Sequence, residues 1–175
     1  MALIQFLLVG NPLLAFRAAS AQEEPLVSDR AAIDGCLQKQ KDAPEHCIGV
    51  VYKACTEEPS GSSTAGMGFC AQRETKVWQE KIEASLDEMR AGALGKKRAE
   101  PWNRPPENRR ERAVAGADII DDMQRTWLAW RAKMCDTASL QYEGGSLSRV
   151  VYGECIYEET ARHALWLKAL LEDTQ

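Results

Sequence analysis

Six cysteines, Cys36, Cys47, Cys55, Cys70, Cys135 and Cys155, constrain this 175-residue chain more than any other feature. Each consecutive pair straddles a break. Cys135 and Cys155 lie ten residues either side of Gly145; Cys55 and Cys70 centre between Ser62 and Ser63, inside "PSGSSTAG"; Cys36 and Cys47 centre next to Asp42, beside Pro44. In two antiparallel helices joined by a turn, residues equally far from the turn lie at the same height, because each step advances about 1.5 Å along either axis. Three local bridges, one across each break, are thus the simplest of the 15 connectivities open to six cysteines. Height alone does not make a bond, since both Cβ atoms must also face one another at about 3.5–4.5 Å. A bridge of this kind closes a short loop and contributes about 3 kcal/mol in the chain-entropy description.

The periodicity is helical wherever it is regular. Trp78, Ile82, Leu86, Met89 and Ala93 draw one apolar stripe at steps of three and four. Ile119, Met123, Trp127, Trp130 and Met134 draw a second; Leu147, Val151, Ile156, Thr160, Ala164, Leu167 and Leu171 draw a third. Breaks fall at Asp42-Ala43-Pro44, at Pro59 to Gly66 and at Glu143-Gly144-Gly145-Ser146. The expected fold is all-α, with disulfide-linked antiparallel hairpins forming a small bundle. Short helices occupy 22–58, and a larger helical domain occupies 59–175. Ser146 is placed to cap the final helix.

Within that domain, "KKRAEPWNRPPENRRER" at 96–112 holds three prolines, which forbid a continuous helix. Seven Lys or Arg, among them Arg104 and Arg109, face three Glu, a local excess of four positive charges around Trp102. Such a loop suits anionic lipid head groups or an acidic partner, but the simpler reading is an exposed, solvated connection.

The first residues are a separate matter. An apolar run from Ala2 to Phe16 precedes Ala19-Ser20-Ala21, a small-x-small cleavage pattern. Residues 1–21 are expected to be a secretory signal peptide cleaved after Ala21, although no Lys or Arg precedes the run and Arg17 lies between it and the cleavage site; the other reading, a buried N-terminal helix, would be broken at Gly10-Asn11-Pro12. Export, to the periplasm or outside the cell, would place the cysteines where disulfides persist. Loss of Arg17 takes the formal net charge from −4 to −5, a balance that argues against nucleic acid as a partner.

No C-x-x-C occurs, and His46 and His163 form no H-E-x-x-H pair, so neither a metal nor another cofactor is expected. Catalysis is not expected either. Asp118, Asp121 and Asp122 cluster near a helix start, where negative charge suits the helix dipole, and His163 stands without a nucleophile motif.

One stretch is familiar. Gln124, Arg125, Trp127, Trp130, Arg131 and Cys135, then Gly145-Ser146, then Cys155 and Thr160, resemble the pattern of the LprI-like lysozyme inhibitor family. Upstream, Met67, Cys70, Glu74, Trp78 and Leu86 are similar to that family's first half, so the resemblance covers about residues 63–171. It departs at Ala132, where the family often has Asp, and at His163, where it often has Arg. The resemblance implies a small helical domain of the envelope or exterior, with disulfides, that binds another macromolecule and inhibits a lysozyme-type muramidase. The alternative is an envelope protein that contacts peptidoglycan or anionic lipid and inhibits nothing.

The motif residues read mainly as structural. Trp127 and Trp130 are expected in the core rather than on a sugar platform. Arg131 is expected to pair with Glu154 or Glu158 across the hairpin, with extension into water as the other reading. Because a glycosidase cleft holds two acidic groups beside the scissile bond, a plug should be basic or hydroxyl-bearing. Ser146 with Arg149, or Arg104 with Arg109, suit that role.

Overall fold

A computed structural model describes residues 26–99 and 114–173. The expected leader, and Arg104, Arg109 and Trp102 of the basic connection, lie outside the described residues. Six α-helices follow in order: α1 (Val27–Lys39), α2 (Val50–Glu57), α3 (Thr64–Ala91), α4 (Ala93–Lys96), α5 (Gly116–Ser139) and α6 (Leu147–Glu172). Single 3-10 turns at Pro44–Cys47 and Leu140–Tyr142 join α1 to α2 and α5 to α6. The fold is all-α apart from a two-residue antiparallel pairing, in which Arg98 lies opposite Ala115 and Ala99 opposite Val114.

α3 is the axis of the molecule. Ser63 starts it, its hydroxyl accepting from the Gly66 amide at 3.0 Å, and it ends at Gly92. Its stripe of Trp78, Ile82, Leu86 and Met89 is buried against Ala161, Ala164 and Leu167 of α6, with Ile33, Val51 and Ile120 completing the core. Ala93 falls outside the stripe because the helix has already broken at Gly92. Gly153 lets α6 approach closely: a Cβ there would sit 3.1 Å from that of Ala71 on α3.

Ion pairs fix α1 on α3. Asp29 receives a two-pronged contact from Arg73, at 2.7 and 3.0 Å; Arg30 grips Glu80 at 2.5 and 2.7 Å; Lys81 pairs with Asp34. The Asp29 pair counts most, because its carboxylate is almost fully buried. Its hydrogen bond holds the Arg73 guanidinium above its usual pKa.

α2 depends on a distant residue. Gly49, in left-handed conformation with φ +89°, opens the helix, and nothing in the immediate sequence caps it. Glu74 of α3 supplies the cap instead. Its carboxylate accepts from the backbone amides of Gly49 at 2.6 Å and Tyr52 at 2.7 Å, and from the Trp78 indole at 3.0 Å. The side chain is fully buried. Two members of the upstream string, Glu74 and Trp78, therefore form one hydrogen-bonded unit at the α2–α3 contact.

All three bridges are local. Cys36–Cys47, Cys55–Cys70 and Cys135–Cys155 have Cα separations of 5.7, 5.5 and 5.5 Å. The last joins an α5–α6 hairpin and the second joins α2 to α3. The first joins α1 to the 3-10 turn that Pro44 opens, which the left-handed backbone at Gly49 separates from α2.

Candidate functional site

The motif residues converge on the α5–α6 hairpin. Trp127 and His163, each eighteen residues from Gly145, are level across it, and their rings stack at 3.9 Å with an interplanar angle of 10°. His163 also stacks with Trp166 at 5.6 Å, and the Arg131 guanidinium lies over Trp127, 4.7 Å from the ring centroid. Gln124 accepts from His163 Nε2 at 2.9 Å. Thr160 accepts from Arg131 Nη1 at 2.5 Å and donates to the Ile156 carbonyl at 2.5 Å. Gln124, Trp127, Arg131 and Thr160 thus orient α5 on α6, together with His163.

Several expectations are corrected here. Arg131 meets neither Glu154, which accepts from the Tyr52 hydroxyl at 2.6 Å, nor Glu158, which pairs with Arg162. Its Nε is buried without a partner among the described residues, and desolvation lowers the pKa of the guanidinium. Trp130 is 50% exposed rather than core, and Ile119 also faces outward. The expected stripe holds at Met123 and Trp127, while Ile120 and Cys135 are buried where Ile119 and Trp130 are exposed. Arg125 is exposed and reaches Asp122 at 3.2 Å. Ser146 makes no side-chain cap, because its own backbone is already helical. At the turn, Gly144 takes the left-handed conformation, φ +81°, while Gly145 does not.

His163 is neutral at ordinary pH. Burial first, and the Arg131 cation second, push its pKa down from 6.5 to about 4. The folded state then binds fewer protons than the unfolded state between those values. This contribution is intact above pH 6.5 and is lost as the pH falls toward 4. His163→Gln should flatten the pH dependence of unfolding in that window by roughly 2–3 kcal/mol, measured by urea titrations at pH 7 and pH 4.

Beyond the bridge, the hairpin end is an exposed surface. Leu140, Tyr142 and Leu147 are 59, 37 and 46% exposed, and Ser146 and Arg149 are exposed beside them. Ser146 and Arg149, named from sequence as partner contacts, are therefore brought together at one exposed turn; the three apolar side chains around them were missed. Exposed apolar side chains next to a fixed turn are a feature of docking surfaces. Among the described residues, no group of three or more His, Cys, Asp and Glu could hold a metal ion.

No solved structure matches the chain. A protein of Rhizobium meliloti (strain 1021), described as uncharacterized protein R02472, is 31% identical over 64 residues, 36% of this chain and 46% of that protein. The matched segment thus spans less than half of that relative. The family described as lysozyme inhibitor LprI, a family of protein inhibitors rather than enzymes, matches residues 55–167. That span begins at Cys55, the α2 end of the second bridge, and takes in α3, α5, the stacked cluster and the exposed turn. This chain belongs to the lysozyme inhibitor LprI family.

Proposed function

We propose that the protein is exported to the periplasm or the cell exterior and inhibits a lysozyme-type muramidase by inserting the α5–α6 turn into the enzyme's cleft. The observation that carries this reading is the exposed turn itself, held by Cys135–Cys155 and bearing Ser146 and Arg149 among Leu140, Tyr142 and Leu147. A muramidase cleft is lined for sugar rings and holds two carboxyl groups at its centre, so an apolar rim with one guanidinium and a hydroxyl is complementary to it. Rigidity matters as much as composition. A loop already fixed in its bound shape loses less entropy on association. The three disulfides fit an oxidising compartment, and no helix among the described residues is long and apolar enough to cross a membrane.

The test is clearance of a cell-wall suspension by a muramidase titrated with the oxidised protein. Inhibition should be stoichiometric, and Arg149→Glu should weaken it at least tenfold by placing like charge against the catalytic carboxyls. Unimpeded lysis at large molar excess, with the protein instead sedimenting with cell wall or anionic vesicles, would replace this reading with envelope contact alone.

A further inference from the structure

His163 of α6 is buried between two indoles, Trp127 of α5 at 3.9 Å and Trp166 at 5.6 Å, while the Arg131 guanidinium lies 4.7 Å from the Trp127 ring centroid. Two basic groups are thus gathered around one indole. Neither has an acidic partner among the described residues: Thr160 accepts from Arg131, and Gln124 meets His163. Arg131 is the charged side chain that acts on the imidazole. Other charged groups of the packed helices are committed or solvated. On α6, Glu158 and Glu159 hold Arg162; on α5, Asp121 is held by Arg90 of α3 and Asp122 by Arg125; Glu83 of α3 is exposed. An indole face ordinarily favours a cation, but Trp127 already receives Arg131, and burial opposes a second charge beside it.

α5 is well fixed only toward its ends. The Gly116 amide donates to the Lys97 carbonyl at 2.6 Å, and Cys135 is bridged to Cys155, yet no residue from Asp121 to Met134 is fully buried. That stretch is held to α6 through Gln124, Trp127 and Arg131, all of which engage His163 or its neighbour Thr160; the exposed Arg90–Asp121 pair adds little. We propose that His163 and Arg131 form an acid-operated latch: when the imidazole takes a proton, the stretch from Asp121 to Met134 lifts from α6 while Cys135–Cys155 keeps the turn in place. This conformational device does not rest on the muramidase reading. The released imidazole regains its ordinary pKa of 6.5, against about 4 in the stack, so the closed form is fully favoured above pH 6.5 and loses ground as the pH falls. The ratio of open to closed forms should rise roughly 100-fold between pH 7 and pH 4.

Amide hydrogen exchange of the full oxidised protein at pH 7 and pH 4, corrected for the intrinsic pH dependence of exchange, tests the latch. Protection over 121–134 should fall about 100-fold and, at pH 4, should lie at least tenfold below that of Trp78 to Leu86 in α3. His163→Gln should remove most of that fall, whatever its starting level of protection. Arg131→Met keeps an unbranched stem but removes the second cation, and should move the titration of the His163 ring protons, followed by NMR, up toward 6.5. Equal protection of 121–134 and the α3 core at pH 4, which marks global unfolding, would overturn the proposal. So would an undiminished fall in His163→Gln, or an unmoved titration in Arg131→Met.

Discussion

Replacing Glu74 with alanine is expected to lower the unfolding free energy by roughly 3–5 kcal/mol, a fall of about 10 °C in melting temperature for a chain of this size. Three donors converge on that carboxylate, the Gly49 and Tyr52 amides and the Trp78 indole, in a position sealed from water. Truncation would strand all three and leave a void against the fully buried Trp78 ring. Glu74→Gln should cost less, about 2 kcal/mol, because one oxygen still accepts while the new amide faces an N–H donor. Thermal melts of both variants, with hydrogen exchange at 49–57, separate this account from a purely volumetric one. A capping role makes α2 the first segment to exchange, whereas a packing role loosens α3 equally.

Removing the hairpin bridge by Cys135→Ala with Cys155→Ala is the second large effect, about 3 kcal/mol. Its consequence should be local. α5 is an outer helix whose buried positions are few, Gly116, Ile120, Cys135 and Ser139, so the cystine is a principal anchor of its C-terminal half. The stacked Trp127 and His163 rings hold the pair further from the turn. Residues 136–154 should therefore exchange quickly in the variant while the Trp78 region stays protected. Inhibition should fall with them, because the turn loses its fixed shape before the core loses its packing.

Much of this architecture was legible in the residues. Helix rise puts cysteines equidistant from a break at one height, which made the local pairing the simplest one for Cys55–Cys70 and Cys135–Cys155; that the Cβ atoms face one another, and that Cys36 meets Cys47 on a 3-10 turn, came from the structure. The α3 stripe was legible because that helix is covered on several sides, so each apolar step is buried. α5 was read less well for the opposite reason. It leans mainly on one neighbour, so its buried face is narrow and the residues at the margin of the stripe, Ile119 and Trp130, are exposed while Met123 and Trp127 pack inward. Arg131 showed that charge pairing is a poor guide across a hairpin, since Thr160 and the Trp127 ring are its partners. Ser146 stands at the start of α6 as expected but does not cap it, because its backbone is already helical, and which glycine of the turn is left-handed was not legible because Gly144 and Gly145 accommodate those backbone angles equally well.

The role of Glu74 was the least accessible. A carboxylate on a helix ordinarily reads as a solvated face, and the amides it caps are twenty-two and twenty-five residues away. The available signals were weak ones: a glycine before a short helix with no Ser, Thr, Asp or Asn at its start, and a Trp one turn beyond an acidic residue.

Non-reducing peptide mapping of the native protein by mass spectrometry tests the central claim most directly, that short-range cross-links pin each bend and so set both the stacked cluster and the exposed turn. The account expects three linked peptide pairs, Cys36 with Cys47, Cys55 with Cys70 and Cys135 with Cys155. Cys135 joined to any cysteine of the N-terminal half, or free thiols at 135 and 155, would contradict it.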